Sequence, residues 1–468
     1  MNITEYYKAA VIGSGQGGNP LAMALAKAGW TTAIIEREHV SGTCINEGCT
    51  PTKTMVASAR TAYVVRRAAD HGVETGPVRV NMPAVRQRKR DIVRNWRESG
   101  ERRLGATPGL ELIYGEAAFT GPHSLQVRPI DAGTDASIRL LYADHIFIDA
   151  GARPALPALP GLESVPYLTS TSVMELDSLP DHLLVLGGGY VALEFSQMFR
   201  RFGCDVTIVQ RRDALLPQED TDVTDAIAGI LRQDGIELVF EAQAAHVEMG
   251  ADGFMALTVG TPLGPRVLTG SHMLVATGRI PNTERLNLAA AGLTADARGY
   301  IPVNERLETA VPGIYALGDI TGGPAFTHIS YDDFRILRTN LLEGGSATTT
   351  NRLVPYTVFM DPQLGRVGLT EREARERGID IRVARMPMDR VARALEVDEP
   401  RGLMKAVVDA ASDRVLGCAV LGMEGGETAA LLQLAMMGGL TAATLRETIF
   451  AHPTVSESLN NLFASWVE

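Results

Sequence analysis

The chain of 468 residues is too long for one ordinary hydrophobic core, so about two to four domains are expected. A hydrophobic share of 45% and a charged share of 21% belong to a soluble globular protein, and a net charge of −11 argues against a dedicated nucleic-acid binder. Four cysteines make no disulfide framework at this length, and no run reads as a leader or a membrane span, so a cytoplasmic protein is expected.

Residues 8–36 read strand, glycine turn, helix, strand. The turn is Gly13-Ser14-Gly15-Gln16-Gly17-Gly18, the helix covers Leu21–Ala28, and the second strand is Thr31–Glu36. Glycines at such a turn let the backbone bend tightly and approach a pyrophosphate, which the helix N-terminus holds with its unpaired N–H groups. Glu36 closes the second strand, where an acid accepts hydrogen bonds from an adenosine ribose. This unit suits a free 2′-hydroxyl, as in FAD.

Cys44 and Cys49 follow, within Gly42-Thr43-Cys44-Ile45-Asn46-Glu47-Gly48-Cys49-Thr50-Pro51-Thr52-Lys53. Two thiols at that spacing can close a small ring, and the start of a helix with a cation nearby favours the thiolate. A zinc site would need more ligands, and the sequence holds no second CxxC or HxxxH, so no metal site is expected. The basic run at 86–97, with Arg86, Arg88, Lys89, Arg90, Arg94 and Arg97, reads as a solvated helix face.

Segments 144–151 and 273–278 are both strand-then-glycine, ending at Gly151 and Gly278, and each is followed by Arg and Pro. They mark where the chain leaves a first domain and returns to it. Between them, residues 183–210 repeat the first signature around Gly187-Gly188-Gly189-Tyr190, with a helix over Glu194–Arg201 and a strand over Asp205–Gln210. One such turn is a weak signal; two, each between an apolar strand and a helix, are a strong one. Gln210 stands where Glu36 stands in the first unit, and Arg211 and Arg212 follow it. Two cations without an acid suit a 2′-phosphate, as in NADPH, with NADH as the alternative. Cys204 and Cys418 stand alone in apolar strands and read as core residues.

After Gly345 a Ser-Ala-Thr-Thr-Thr stretch reads as a linker. From Val354, strand-like Tyr356–Met360, Gly402–Val408 and Arg414–Leu421 alternate with helical Thr370–Arg377 and Glu427–Met437. The Met and Leu residues at 430–440 read as core or subunit interface. The expected fold is therefore α/β. An FAD-binding Rossmann-like domain covers 1–150 and 275–345. A second, NAD(P)-binding one at 151–274 is inserted in it, and an α+β domain covers 350–468.

Along its whole length the chain resembles the class I flavin disulfide reductases, the group of lipoamide dehydrogenase, glutathione reductase and mercuric reductase. Gly42–Lys53 is similar to their active-site helix, and Thr309–Asp319 to their second FAD motif. Ala276–Arg279 is similar to their crossover strand, and Val354–Thr370 to the start of their dimerisation domain. Ala451-His452-Pro453-Thr454-Val455-Ser456-Glu457 is similar to their acid–base motif. The resemblance implies that Cys49 faces the flavin and Cys44 meets substrate. Lys53 then lies by the flavin and pairs with Glu194, Tyr190 covers the nicotinamide pocket, and Asp319 holds the ribityl chain. His452, oriented by Glu457, is implied as the acid–base across the subunit boundary of a homodimer. His328, near the helix that follows the Gly-Asp motif, receives no catalytic role.

Several departures narrow the branch. Lipoamide dehydrogenases usually carry an acid at the position of Gln210, and mercuric reductases typically add a C-terminal cysteine pair that is lacking here. Segments 326–336, 354–360 and 449–460 are most similar to bacterial reactive-chlorine-resistance flavoproteins, some of which reduce hypothiocyanous acid and many of which are called mercuric-reductase-like. Ser41 replaces a glycine usual before Gly-Thr-Cys, and Asp149 a small residue in the first crossover strand. The expected activity is electron transfer from NADPH through FAD to the Cys44–Cys49 disulfide, and on to a small oxidised substrate. That substrate is a disulfide, hypothiocyanous acid or a metal ion. Two alternatives are the dihydrolipoyl dehydrogenase of a 2-oxo-acid complex and, in a different class, a nucleotide sensor that binds FAD without catalysis. The intact cysteine pair and the His452–Glu457 motif argue against the sensor.

Overall fold

Strand β1 (Thr4–Ile12) is buried on both faces from Ala9 to Ile12, which is why its sequence is a continuous apolar run. Ala10 and Ile12 point into one core with Ala33 and Ile35; Ala9 and Val11 point into another with Leu21, Leu25 and Ile34. In the computed structural model, which describes residues 4–130 and 137–467, the chain divides into two units.

The first unit gathers residues up to 52, 87–155 and 279–352. Its sheet runs in the order Leu110–Tyr114, β2 (Thr32–Glu36), β1, Arg139–Ile148, Ser124–Arg128 and Glu116–Gly121; Ile314–Ala316 pairs alongside Arg139–Ile148. The strands around β1 are parallel, and the last two join antiparallel. Helix α1 (Gly18–Lys27) packs on β1, β2 and the helix Thr327–Leu342. A two-stranded antiparallel pair joins Ala152–Pro154 to Arg279–Pro281, so the outgoing and returning chain are bonded at that point.

The second unit holds 53–86, 156–278 and 353 onwards. Four parallel strands order as Glu237–Val239, Asp205–Val209, His182–Leu186 and His272–Val275. The helix Tyr190–Phe202 lies between the second and third of these in the chain and buries Ala192, Leu193, Phe195, Met198 and Phe199. A three-stranded antiparallel sheet spans 243–270. A five-stranded one orders as Tyr356–Val358, Gln363–Gly368, Val415–Gly422, Leu403–Asp409 and Ile381–Pro387, with the helix Gly425–Met437 against it.

Gln363–Gly368, which holds two glycines, lies outside the segments read as strand-like from the sequence. The structure gives them a packing role: a Cβ on Gly365 would come within 2.2 Å of the Gly425 carbonyl oxygen, so helix and sheet meet backbone to backbone there. Cys204 and Cys418 are buried, and burial pushes both thiols up to about 12. Among the described residues, no helix is long and apolar enough to cross a membrane.

Candidate functional site

The first glycine turn follows directly from β1. Gly13 has φ +98°, and a Cβ there would lie 2.2 Å from the Asp149 carbonyl oxygen, so no other residue fits the hand-over from strand to helix. α1 then opens at Gly18 behind Gly17, which has no side chain to cap it; the Gly18 amide donates to Asp149 Oδ2 at 2.8 Å and the Asn19 amide to the Gly15 carbonyl at 3.1 Å, so an anion on this turn meets the positive end of the helix dipole. Glu36 is buried at the end of β2. Its Oε2 accepts from the Ser14 amide at 3.1 Å and from the Ser14 hydroxyl, and its Oε1 accepts from the Glu38 amide at 2.8 Å. Glu36 is thereby fixed to the same turn whose glycines lie two residues apart.

Ser41 accounts for the glycine usual at its position. It sits at φ +80°, in the left-handed region, buried beneath Gly100, and its amide donates to Ser14 Oγ at 3.3 Å. Gly42 follows, also left-handed, and a Cβ there would come within 2.8 Å of Gly15 Cα. The cysteine segment is thus drawn against the dinucleotide turn. Thr43 and Cys44 lie in the short α2 (Gly42–Asn46), and Cys49 is the first residue of the 18-residue α3 (Cys49–Arg66). Cys44 is half-buried and Cys49 exposed. Cys49 Sγ lies 3.4 Å from the Thr327 hydroxyl, a partner 278 residues away that sequence reasoning missed. No local pattern could have found it.

Asp319 stands in the turn Gly318–Thr321, half-buried, with Arg279 Nε 3.9 Å from its Oδ2. Burial raises its carboxyl, and Arg279 opposes the rise. Gly318, with φ +72°, donates its amide to Asp333 at 2.9 Å, and Arg352 holds the other Asp333 oxygen at 2.6 Å. Asp333 and Arg352 were also missed. Gly151, at φ +65°, has no atom within 4 Å of where a Cβ would sit, so the chain beside the turn is open.

In the second unit, Gly187 repeats the geometry of Gly13: φ is +115° and a Cβ would lie 2.4 Å from the Ala276 carbonyl oxygen. Gly189 caps the helix that starts at Tyr190, and the space around it is open, as a bound phosphate requires. Gln210 is buried; its amide group donates to the Ala214 carbonyl at 2.9 Å and packs on Gly188. Arg211 and Arg212 are both exposed. Gly278 has φ +131°. Lys53 Nζ donates to Glu194 Oε2 at 2.7 Å, and the Phe359 amide donates to Glu194 Oε1 at 2.9 Å. Tyr190 is half-buried against the core of this unit. Near the end of the chain, His452 Nδ1 lies 2.8 and 3.0 Å from the two Glu457 oxygens. Nδ1 is engaged, so Nε2 is the nitrogen left to exchange a proton outward.

The two glycine turns, each with an uncapped or glycine-capped helix behind it, fit two dinucleotides. Glu36, Ser14, Gly15, Gly18 and Asp319 lie about the first turn; Gly187, Gly189 and the loop at Gln210 lie about the second. The family model described as pyridine nucleotide-disulphide oxidoreductase matches residues 7–333, and that family's dimerisation domain matches 354–463. The chain is 39% identical, over 98% of its length and 99% of the relative's, to a probable pyridine nucleotide-disulfide oxidoreductase RclA of Escherichia coli. It is 34% identical to a mercuric reductase of Streptomyces lividans, over 97% of this chain and 94% of that one. A solved structure titled HOCl-induced flavoprotein disulfide reductase RclA from Escherichia coli superposes with a TM-score of 0.88 at 38% identity, covering 98% of this chain and 99% of that one.

Proposed function

We infer, from the premise that this chain belongs to the pyridine nucleotide-disulphide oxidoreductase family, that it moves electrons from NADPH through FAD to a Cys44–Cys49 disulfide and then to a small thiol-reactive oxidant. The observation that carries this reading is the placement of the two cysteines: Cys44 in α2 and Cys49 opening α3, on a segment held against the first glycine turn by Gly42. FAD, when bound, supplies the two-electron relay between nicotinamide and thiols.

The residues of the chain do the rest. Glu36, Ser14, Gly13, Gly15, Gly18 and Asp319 hold FAD; Gly187, Gly189, Tyr190 and the Gln210–Arg212 loop hold NADPH; Thr43, Gly151 and Gly278 shape the loops beside them. Lys53 and Glu194 form a positioned charge pair next to the thiols in sequence. Cys49 is the thiol that receives electrons, and Cys44 is the thiol that meets substrate.

Hypothiocyanous acid is the substrate we place first. Similarity to an HOCl-induced flavoprotein disulfide reductase supports an oxidant of that chemistry. The Cys44 thiolate attacks the electrophilic sulfur, hydroxide leaves, and a proton from His452 makes it water. Cys49 then attacks Cys44 Sγ, thiocyanate leaves and the Cys44–Cys49 disulfide forms. Two electrons from NADPH restore the dithiol. A carboxylate-held histidine suits this proton transfer because its ordinary pKa lies near neutrality, about 6.5.

The reading includes a homodimer. The helix Gly425–Met437 buries Ala429, Leu432 and Ala435, yet Leu434 and Met437 on its other side are 65% and 68% exposed. A helix apolar all round is a buried helix, and a second copy of the dimerisation domain is the partner the family supplies. NADPH consumption measured against hypothiocyanous acid, Hg(II), glutathione disulfide and lipoamide tests the whole proposal. Turnover of hypothiocyanous acid well above the others supports it; turnover of lipoamide with NADH alone makes the chain a dihydrolipoyl dehydrogenase.

A further inference from the structure

Asp149 occupies an unusual place. It ends the strand Arg139–Ile148, its amide donates to the Ile12 carbonyl at 2.8 Å, and its side chain runs under the first glycine turn. Oδ2 accepts the Gly18 amide at 2.8 Å, the first N–H of α1. The carboxyl is caged. A Cβ on Gly15 would lie 2.6 Å from Oδ2, one on Gly18 2.8 Å from it, and one on Gly318 3.0 Å from Oδ1. It cannot swing away from the turn, and it is only 7% exposed.

Its surroundings are acidic. Glu36 faces it from the end of β2, Asp319 from the turn Gly318–Thr321, and Asp333 from the helix Thr327–Leu342. The nearby cations serve the other acids: Arg352 pairs with Asp333 and Arg279 lies by Asp319. Among the described residues, no lysine or arginine pairs with Asp149. Burial raises its carboxyl well above the usual carboxylate range, the Gly18 N–H opposes this, and the three acids add to it. A pyrophosphate held on the same turn and the same helix N-terminus brings two more negative charges.

We propose that Asp149 is a proton-carrying residue of the FAD site, which takes up a proton when the cofactor's pyrophosphate is held on the Gly13–Gly18 turn. This rests on the FAD reading given above. The neutral acid keeps the cage filled without adding charge beneath the phosphates, while an ionised Asp149 competes with them for the α1 N-terminus. The sign follows: proton uptake on binding makes FAD retention strongest at low pH and weaker as pH rises.

The experiment dilutes the holoenzyme at a series of values from about pH 6 to about pH 9 and measures freed FAD by its fluorescence, with a steepest expected loss of affinity of about tenfold per pH unit. Asp149→Asn keeps the shape and the acceptor for Gly18, and should hold FAD with an affinity that is flat across the same range and higher than wild type at the alkaline end. Asp149→Ser takes its place if the asparagine variant does not fold. A flat wild-type profile, or a variant with the wild-type slope, overturns the proposal. A purified protein that carries no FAD at any pH overturns instead the FAD reading on which it rests.

Discussion

Lys53 Nζ and Glu194 Oε2 are 2.7 Å apart, and the pair is unequal: the Lys53 side chain is 28% exposed, the Glu194 side chain 3%. Glu194 also receives the Phe359 amide, and Phe359 offers its ring to Lys53 with the centroid 4.9 Å from Nζ. The carboxylate is therefore the dependent partner. Lys53→Met strands a buried charge and should cost about 3 kcal/mol, whereas Glu194→Gln leaves an ammonium that water can reach and should cost about 1 kcal/mol. Urea midpoints of the two variants check this; equal losses would mean that Glu194 is not buried in solution.

Arg352 and Asp333 are a second unequal pair, with a pH signature. Asp333 anchors the Gly318 amide, and burial raises its carboxyl even with Arg352 present. An acid whose folded pKa is raised holds its proton longer when folded than when unfolded. Its cost is absent at pH values below the unfolded pKa of about 3.9 and grows as pH rises to the folded value. Arg352→Met removes the compensating cation, so the variant should be destabilised by about 3 kcal/mol near neutral pH and by much less near pH 4.5. Thermal melts across that interval are the measurement, and a penalty that stays constant with pH would show that Asp333 does not titrate.

Much of this geometry was legible before any coordinates. The two glycine turns are readable because a strand, a forced left-handed glycine and a helix N-terminus impose one local pattern, and Gly13 and Gly187 show the same clash with a crossover-strand carbonyl. Glu36 and Gln210 were found by their equal distance from those glycines. The partnership of Lys53 with Glu194 came only from resemblance, since nothing in the spacing of residues 141 apart demands it. Thr327 beside Cys49, and the cage around Asp149, were invisible for the same reason: they join segments brought together by the sheet order rather than by chain neighbourhood. The strand Gln363–Gly368 lies outside the segments read as strand-like, and its Gly365 admits the backbone of the helix Gly425–Met437.

Cys44 and Cys49 should separate by spectrum. Cys49 opens a long helix and is exposed, while Cys44 sits half-buried in α2. If Cys49 is the flavin-facing thiol, Cys44→Ser should show a long-wavelength charge-transfer absorbance with oxidised FAD, and Cys49→Ser should lack it. Either change should lower NADPH-dependent substrate reduction by at least about 100-fold, since each thiol is needed for a covalent step. Absorbance spectra of the two variants decide the order; the opposite pattern would reverse the roles.

The choice of nicotinamide cofactor is expected to turn on Gln210, Arg211 and Arg212. Gln210 is turned inward, its amide bound to the Ala214 carbonyl, so it neither repels a 2′-phosphate nor reaches for a ribose hydroxyl. Arg211 and Arg212 are exposed on the loop that follows, where a strand hands over beside the second glycine turn. A guanidinium there can hold phosphate oxygens through two parallel hydrogen bonds, which a lysine cannot reproduce. Each charge-assisted contact contributes about 1.5–3 kcal/mol, so one engaged arginine should favour NADPH over NADH by about 10- to 150-fold in kcat/KM. Changing both arginines to glutamine together with Gln210→Glu should remove that preference and move the enzyme toward NADH. Because the contact lies at the surface, raising the salt concentration should weaken NADPH use more than NADH use. Specificity constants measured for both cofactors, at low and high salt, are the test; values for NADH equal to or above those for NADPH would place both arginines in solvent.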